Sequence, residues 1–229
     1  MALTLHYHPL SSFCWKVLIA LYENGAPFEA RLVNLGDLEA KAAFRALWPT
    51  AKIPLLEDGG RIVPETSIMI EHLDRRYPGK VRLLPDDLEE QLKVRLWDRV
   101  FDLYVMGPMQ RFIAQQLRPH EERDARALAG SLADLTSAYD MLEERLDMRV
   151  WAAGERFSMA DCAAAPALFY AAIVLPFAPE HENLVRYFDR LMTRPSVQRT
   201  IAEARPFFKF FPLQHAIPAR FLSDGPEAI

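Results

Sequence analysis

Two serines, Ser11 and Ser12, follow a run that reads as a β-strand, Leu3–His8, and precede an apolar run that reads as a helix over residues 13–23. Such a junction can hold a thiolate. The first N–H groups of a helix have no partner inside it and together carry about half a positive charge, and a neighbouring hydroxyl can donate to the sulfur. A free thiol has a pKa of about 8.5, so a shift of about two units takes about 2.7 kcal/mol of preference for the anion. A helix start supplies up to ~2 kcal/mol and a hydrogen bond to an anion about 1.5–3 kcal/mol, so no buried cation is needed. Neither serine carries sulfur, so the thiol would arrive with a ligand. The plainer role for Ser11 or Ser12 is to cap the helix. Tyr7, near the strand end, is a second candidate hydroxyl or a core residue.

Three further clusters bear on chemistry. Lys52-Ile53-Pro54 opens a strand, where proline is awkward unless its bond is cis or it stands first. A cis bond would leave the main chain of Ile53 open to an extended peptide; an ordinary trans proline at the strand start is the alternative. Glu65-Thr66 stands at the start of another helix, where free N–H groups and a hydroxyl suit a carboxylate and the acid suits an ammonium. Taken alone, the same pair reads more simply as a helix cap with an acid near the dipole. Ser158-Met159-Ala160-Asp161, with Phe157 before it, is a capping box with a staple and serves folding. His6 and His8 alternate on the first strand and would share a face, with no third ligand to make a metal site.

These residues need elements to position them. Phe13, Val17, Leu18 and Leu21 mark one face of the first helix, which Asn24-Gly25 ends. Phe28–Leu35 reads as a strand, Leu38–Trp48 as a helix, and Ile53–Glu57 with Arg61–Val63 as a hairpin around Asp58-Gly59-Gly60. Thr66–Tyr77 is a helix. The order βαβαββα is a small α/β unit, residues 1–78, and residues 79–88 read as a linker rich in proline, glycine and charge. From 89 to 229 the pattern is all-helical. Leu92, Leu96, Val100 and Leu103 mark the apolar face of a long helix that Gly107-Pro108 should kink. Further helices fit 122–146, 159–173, 181–193 and 196–204. The aromatic tail from about residue 206, Pro206 to Pro212 and on to Phe221, packs on this bundle or covers a pocket, because so much exposed aromatic surface would aggregate.

The chain has 229 residues, 51% hydrophobic and 25% charged, with a net charge of -4, which suits a globular protein and offers no electrostatic footprint for nucleic acid. Its two cysteines, Cys14 and Cys162, are too few for a disulfide framework. With no signal-peptide pattern and no apolar run long enough to span a membrane, the expectation is a cytoplasmic protein.

Taken together, Pro9-Leu10-Ser11-Ser12-Phe13-Cys14, Pro49-Thr50-Ala51-Lys52-Ile53-Pro54, Glu65-Thr66 and Phe157–Asp161 resemble the cytosolic glutathione transferases, to about residue 205. The first segment looks like the serine-type classes, theta, delta and zeta. The resemblance implies a thioredoxin-like N-terminal domain followed by an all-helical domain, a cis Pro54, glutathione as co-substrate, no metal, and a homodimer. It carries the sulfur-binding role to Ser11 and makes Ser12, Lys52, Ile53, Pro54, Glu65 and Thr66 the glutathione-binding set. It implies a small hydrophobic electrophile in a pocket near Leu10, Tyr104 and Met106 or Met109, with plain core packing as the alternative for these side chains. Asp98 and Asp102 would reach toward the neighbouring subunit's ligand. Dehalogenation, isomerisation or peroxide reduction on the same scaffold, and a non-catalytic binding protein, are the alternatives. A threonine replaces the family's usual serine after the glutamate and keeps the hydroxyl; a leucine replaces the frequent glycine after the loop proline.

Overall fold

A computed structural model describes residues 3–34 and 36–223. Four strands, β1 (Leu3–Tyr7), β2 (Glu29–Leu32), β3 (Leu55–Asp58) and β4 (Arg61–Val63), form one sheet in the order β2-β1-β3-β4. β1 runs parallel to β2, and β3 is antiparallel to both β1 and β4. Helices α1 (Ser12–Asn24), α2 (Leu38–Leu47) and α3 (Thr66–Arg76) connect them in the βαβαββα order. One side of the sheet packs Leu3, Leu5 and Leu56 on Val17, Leu18 and Leu21 of α1 and Met69 and Leu73 of α3; Val33, Phe44, Ala51 and Leu55 form a second small core with α2. The second strand is shorter than its sequence pattern, and Leu35 lies outside the described residues. His6 and His8 do not share a face: His6 is buried beside Phe44, whereas His8 lies past the strand end against Phe207.

The rest of the described chain is helical: α4 (Leu88–Val100), α5 (Gly107–Gln116), α6 (Ala125–Arg145), α7 (Met159–Val174), α8 (Glu182–Met192) and α9 (Pro195–Ala204). α1 and α7 are buried on nearly every side, so α1 packs more of its surface than the one face its sequence marks. The ring of Trp15 on α1 lies 4.8 Å from Phe169 and 5.1 Å from Tyr170 on α7, joining the α/β unit to the helical core. Segment 79–88 is fixed in place. Leu83 and Leu84 are buried, the Leu83 N–H donates to Asp74 Oδ1 at 2.8 Å, and its carbonyl accepts from Met159 N–H at 2.9 Å. Gly79 lies so close to the end of α1 that a Cβ there would stand 2.3 Å from Asn24 Cα. The tail packs on the bundle through three short 3-10 turns, burying Phe208, Phe211, Ile217 and Phe221 against Phe169, Tyr170 and Phe188.

The apolar face expected of the long helix is its outer face. Leu92, Leu96 and Leu103 are 57%, 57% and 58% exposed, and only Val100 of that set is buried. The inward face carries Val94, Asp98, Phe101, Asp102 and Val105, and its two acids disguise it as the polar side. Asp98 and Asp102 do not reach outward: they are 1% and 5% exposed and close on Lys16 of α1, which is fully buried. The irregularity expected at Gly107-Pro108 is a π-helical segment, Phe101–Met106, whose last bond runs from Gly107 N–H to Asp102 O. The wider turn comes before the proline and takes up its missing hydrogen bond.

Candidate active site

The sheet registers bring three of the predicted clusters to one edge. His6 pairs with Leu55, so the loop after β1 lies beside Pro54, the residue before β3. Leu56 pairs with Val63, so the chain leaving β4 reaches Glu65 and Thr66 at the same edge. Lys16 Nζ donates to Ser67 Oγ at 3.1 Å, joining the starts of α1 and α3 side by side. The Ile53-Pro54 bond is cis, and Lys52 is exposed, Ile53 partly buried and Pro54 buried.

Ser11 is the N-cap of α1. Its Oγ accepts from Cys14 N–H at 3.4 Å, and its carbonyl accepts from Trp15 N–H at 3.1 Å. Capping uses a lone pair of the hydroxyl and leaves its proton free to donate, so the cap and a donor to sulfur are compatible in one side chain. The N–H groups of Ser12 and Phe13, in the first turn, have no intrahelical acceptor. Ser12 is buried and its Oγ accepts from Gln110 Nε2 at 3.3 Å.

The protein's own thiol beside this site is inert. Cys14 is fully buried, its Sγ accepts from His8 N–H at 3.4 Å, and burial pushes its pKa up to about 12. Burial also holds His8 below the usual imidazole range, while Leu10 N–H donates to its Nδ1 at 3.2 Å, which fixes the neutral ring with its proton on Nε2. Tyr7 packs against the sheet core, and burial, with Glu203 and Cys14 nearby, raises its phenol.

Glu65 is exposed and adopts φ 67° and ψ 119°, a conformation that side chains rarely take. It costs about 1–3 kcal/mol and persists only where the surroundings impose it. Thr66, the first residue of α3, is buried. Behind it lies the charge cluster: Lys16 Nζ is 2.6 Å from Asp98 Oδ1 and 2.7 Å from Asp102 Oδ2, Ser67 Oγ donates to Asp98 Oδ2 at 2.6 Å, and Arg99 bonds both acids. Two acids face two cations. Burial raises the Asp102 carboxyl, with Lys16 and Arg99 acting against it.

A cavity of about 280 Å³ opens at the serine loop, lined by Leu10, Ser11, Ser12 and Met109. Sequence reasoning missed its other walls: Gln110, Ile113 and Ala114 on α5, Leu117 just past its end, Tyr170 on α7 and Phe211 from the tail. The i, i+3, i+4 spacing of the α5 residues is a signal that points there once α5 is known to face the loop. Two expected lining residues lie elsewhere. Met106 is fully buried in the helical core, and Tyr104 is 57% exposed on a separate hollow with Arg111 and Asp134. The π-helical turn shifts the register between them and Met109, and a straight helical pattern cannot show that. A larger hollow of about 510 Å³ lies between residues 80–86 and 151–158 and shares no residue with the serine loop.

A thioredoxin-like unit with a cis proline opposite a helix-capping serine, joined to a helical bundle, defines the fold class. Residues 5–81 match the family model of the glutathione S-transferase N-terminal domain and residues 102–195 that of the C-terminal domain. A glutathione S-transferase of Pseudomonas putida is 30% identical over 164 residues, covering 69% of this chain and 70% of that protein. A glutathione S-transferase structure from Methylobacillus flagellatus with glutathione bound superposes with a TM-score of 0.78 at 26% identity, covering 87% of this chain and 98% of that one. One from Methylobacterium radiotolerans, in complex with glutathione sulfonate, gives a TM-score of 0.76 at 27% identity, with 87% and 94% covered. The chain belongs to the glutathione S-transferase family of enzymes. Among the described residues no helix is long and apolar enough to cross a membrane, and no group of three or more His, Cys, Asp or Glu could hold a metal ion.

Proposed function

We propose that the protein binds glutathione along the edge formed by the Ser11 loop, Pro54 and Glu65-Thr66, holds it as the thiolate, and adds it to a hydrophobic electrophile. The observation that carries this reading is the double capacity of Ser11, which caps α1 through a lone pair while its proton remains available at the mouth of a mainly apolar cavity. The thiol proton leaves to solvent on binding, and the sulfur then attacks without a dedicated base. Ile53 pairs its backbone with the cysteinyl part of the tripeptide, next to the cis Pro54. The N–H groups at the start of α3, with the Thr66 hydroxyl, take the γ-glutamyl carboxylate, and Glu65 takes the ammonium. Lys52, exposed at the same edge, meets the glycyl carboxylate, and Ser12, tied to Gln110, holds the loop against α5.

The electrophile is hydrophobic because Leu10, Met109, Ile113, Leu117 and Phe211 dominate the cavity wall. The protein is a homodimer in this reading. Support comes from the outward stripe Leu88, Leu92, Leu96 and Leu103, with Ile68 54% exposed on α3: exposed apolar side chains spaced along one helix in this way suit an interface.

Ser11→Ala tests the assignment. Turnover of a model electrophile should fall about tenfold or more, the scale of one lost hydrogen bond to a charged group, while the affinity for glutathione changes little. Unaltered turnover would remove Ser11 from the role.

A further inference from the structure

His8, between β1 and the serine loop, makes three bonds that together shape that loop. Its N–H donates to Cys14 Sγ at 3.4 Å, its carbonyl accepts from Ser11 N–H at 3.0 Å, and its ring Nδ1 accepts from Leu10 N–H at 3.2 Å. The second bond closes a four-residue turn with Pro9 in the second place, where its fixed φ suits the bend. The third gives a partner to the Leu10 N–H, which the turn itself leaves free. A side-chain acceptor for the N–H two residues on is the role that asparagine and aspartate commonly take in turns. Contact with the tail needs no nitrogen: Phe207 meets the ring at 6.0 Å and 70°, and an apolar side chain could make that contact.

We infer that His8 is a positioning residue for the thiolate: the lone pair of its neutral ring holds the Leu10 N–H and so sets the turn that presents the Ser11 hydroxyl to the glutathione sulfur. The inference rests on the transferase reading above and adds to it a residue outside the glutathione-binding set. Leu10 directly precedes Ser11, so a turn that loses the Leu10 bond no longer fixes where Ser11 stands, and a displacement of about 1 Å can cost a site about a hundredfold in rate. Trp15 Nε1 ties the same loop by donating to Pro9 O at 2.5 Å. Of these loop bonds, the one to the imidazole is the one that a proton removes. An imidazolium donates from both nitrogens, so its Nδ1–H would face the Leu10 N–H. The surroundings favour the neutral ring. Burial keeps Cys14 on α1 and Tyr7 on β1 protonated, Glu203 on α9, which acts on Tyr7, is bonded by Tyr22 and Arg199, and the tail presents Phe207. Burial also lowers the imidazole, so the acceptor is present at neutral pH and is lost only below the ordinary histidine value of about 6.5.

His8→Asn and His8→Leu are the test. The two new side chains are close in size, and only the amide offers an acceptor at the place of Nδ1. The readout is the ultraviolet titration of the thiolate in the glutathione complex, which needs no second substrate. His8→Asn should keep the parent's midpoint, and His8→Leu should raise it by about one unit, a tenfold loss of preference for the anion. The parent's curve should be steeper at its acid end than one titrating proton allows, because the thiolate and the His8 acceptor are lost together, whereas the curve of His8→Asn should follow a single proton. If His8→Leu does not fold, the midpoint and the steepness of His8→Asn against the parent decide. A parent curve that follows a single proton, a steep curve that survives in His8→Asn, a midpoint raised in His8→Asn as far as in His8→Leu, or an unchanged midpoint in His8→Leu would each overturn the assignment of His8 while leaving Ser11 in its role. A parent complex that titrates like free glutathione would overturn the Ser11 reading, and this inference with it.

Discussion

Replacing Lys16 with methionine should destabilise the protein by about 3–5 kcal/mol, the cost typical of removing one partner from a buried ion pair. The side chain is fully buried and ligates two carboxylates that are themselves almost wholly enclosed. Without the ammonium, Asp98 and Asp102 would face each other on adjacent turns with only Arg99 and Ser67 to offset them. Urea denaturation reads the change as a shift in midpoint at constant slope. Adding Asp98→Asn and Asp102→Asn to Lys16→Met should recover part of the loss, because the uncompensated charge is then gone. A loss below about 1 kcal/mol would show that the cluster is better solvated than its burial indicates. The cluster also joins the starts of α1 and α3, so the single variant should loosen the edge at which the glutathione clusters meet.

Asp161→Ala should be about as damaging, at about 3 kcal/mol or more, because the fully buried carboxylate accepts from four donors and charged hydrogen bonds are the strong ones. Those donors are Ser158 N–H at 2.8 Å, Ser158 Oγ at 3.0 Å, Ala152 N–H at 3.0 Å and Tyr187 OH at 2.6 Å. The alanine leaves all four without that acceptor, at the start of the helix that forms the centre of the bundle. Tyr187→Phe removes one donor only and should cost less than half as much. Thermal denaturation of the two variants gives the ratio. An alanine variant as stable as the parent would mean that water replaces the carboxylate in that pocket.

The capping box was legible because its core is local: Ser158 and Asp161 bond each other within one turn, and the more distant donors Ala152 and Tyr187 add to that role without changing it. The same holds for Ser11 as a cap and for the hairpin around Gly59-Gly60. The order of elements in the N-terminal unit was readable from alternation and turn residues, although β2 is exposed along its length and its ends were correspondingly blurred.

What the sequence concealed is where a distant partner changes the reading of a residue. Asp98 and Asp102 read as groups that reach outward to a neighbouring subunit until Lys16, more than eighty positions earlier, is known to lie against them. The same acids made Leu92, Leu96 and Leu103 look like the buried side, when those leucines face out. Tyr104 and Met106 were misplaced for a different reason: a π-helical turn has no compositional signature, and it rotates everything after it relative to everything before. Tyr170 carried no signal at all. In sequence it is one apolar position in an apolar helix, and only beside Tyr139 and Tyr187, which both find partners, does it stand out that its own hydroxyl has none among the described residues.

The central claim is that the Ser11 loop and the start of α1 favour the anion of a bound thiol. Titrating the ultraviolet absorbance of the thiolate in the glutathione complex measures this without any second substrate. The expected midpoint lies about two units below that of the free tripeptide, near 6.5, and returns most of the way toward 8.5 in Ser11→Ala. A midpoint in the parent complex equal to that of glutathione in solution would contradict it.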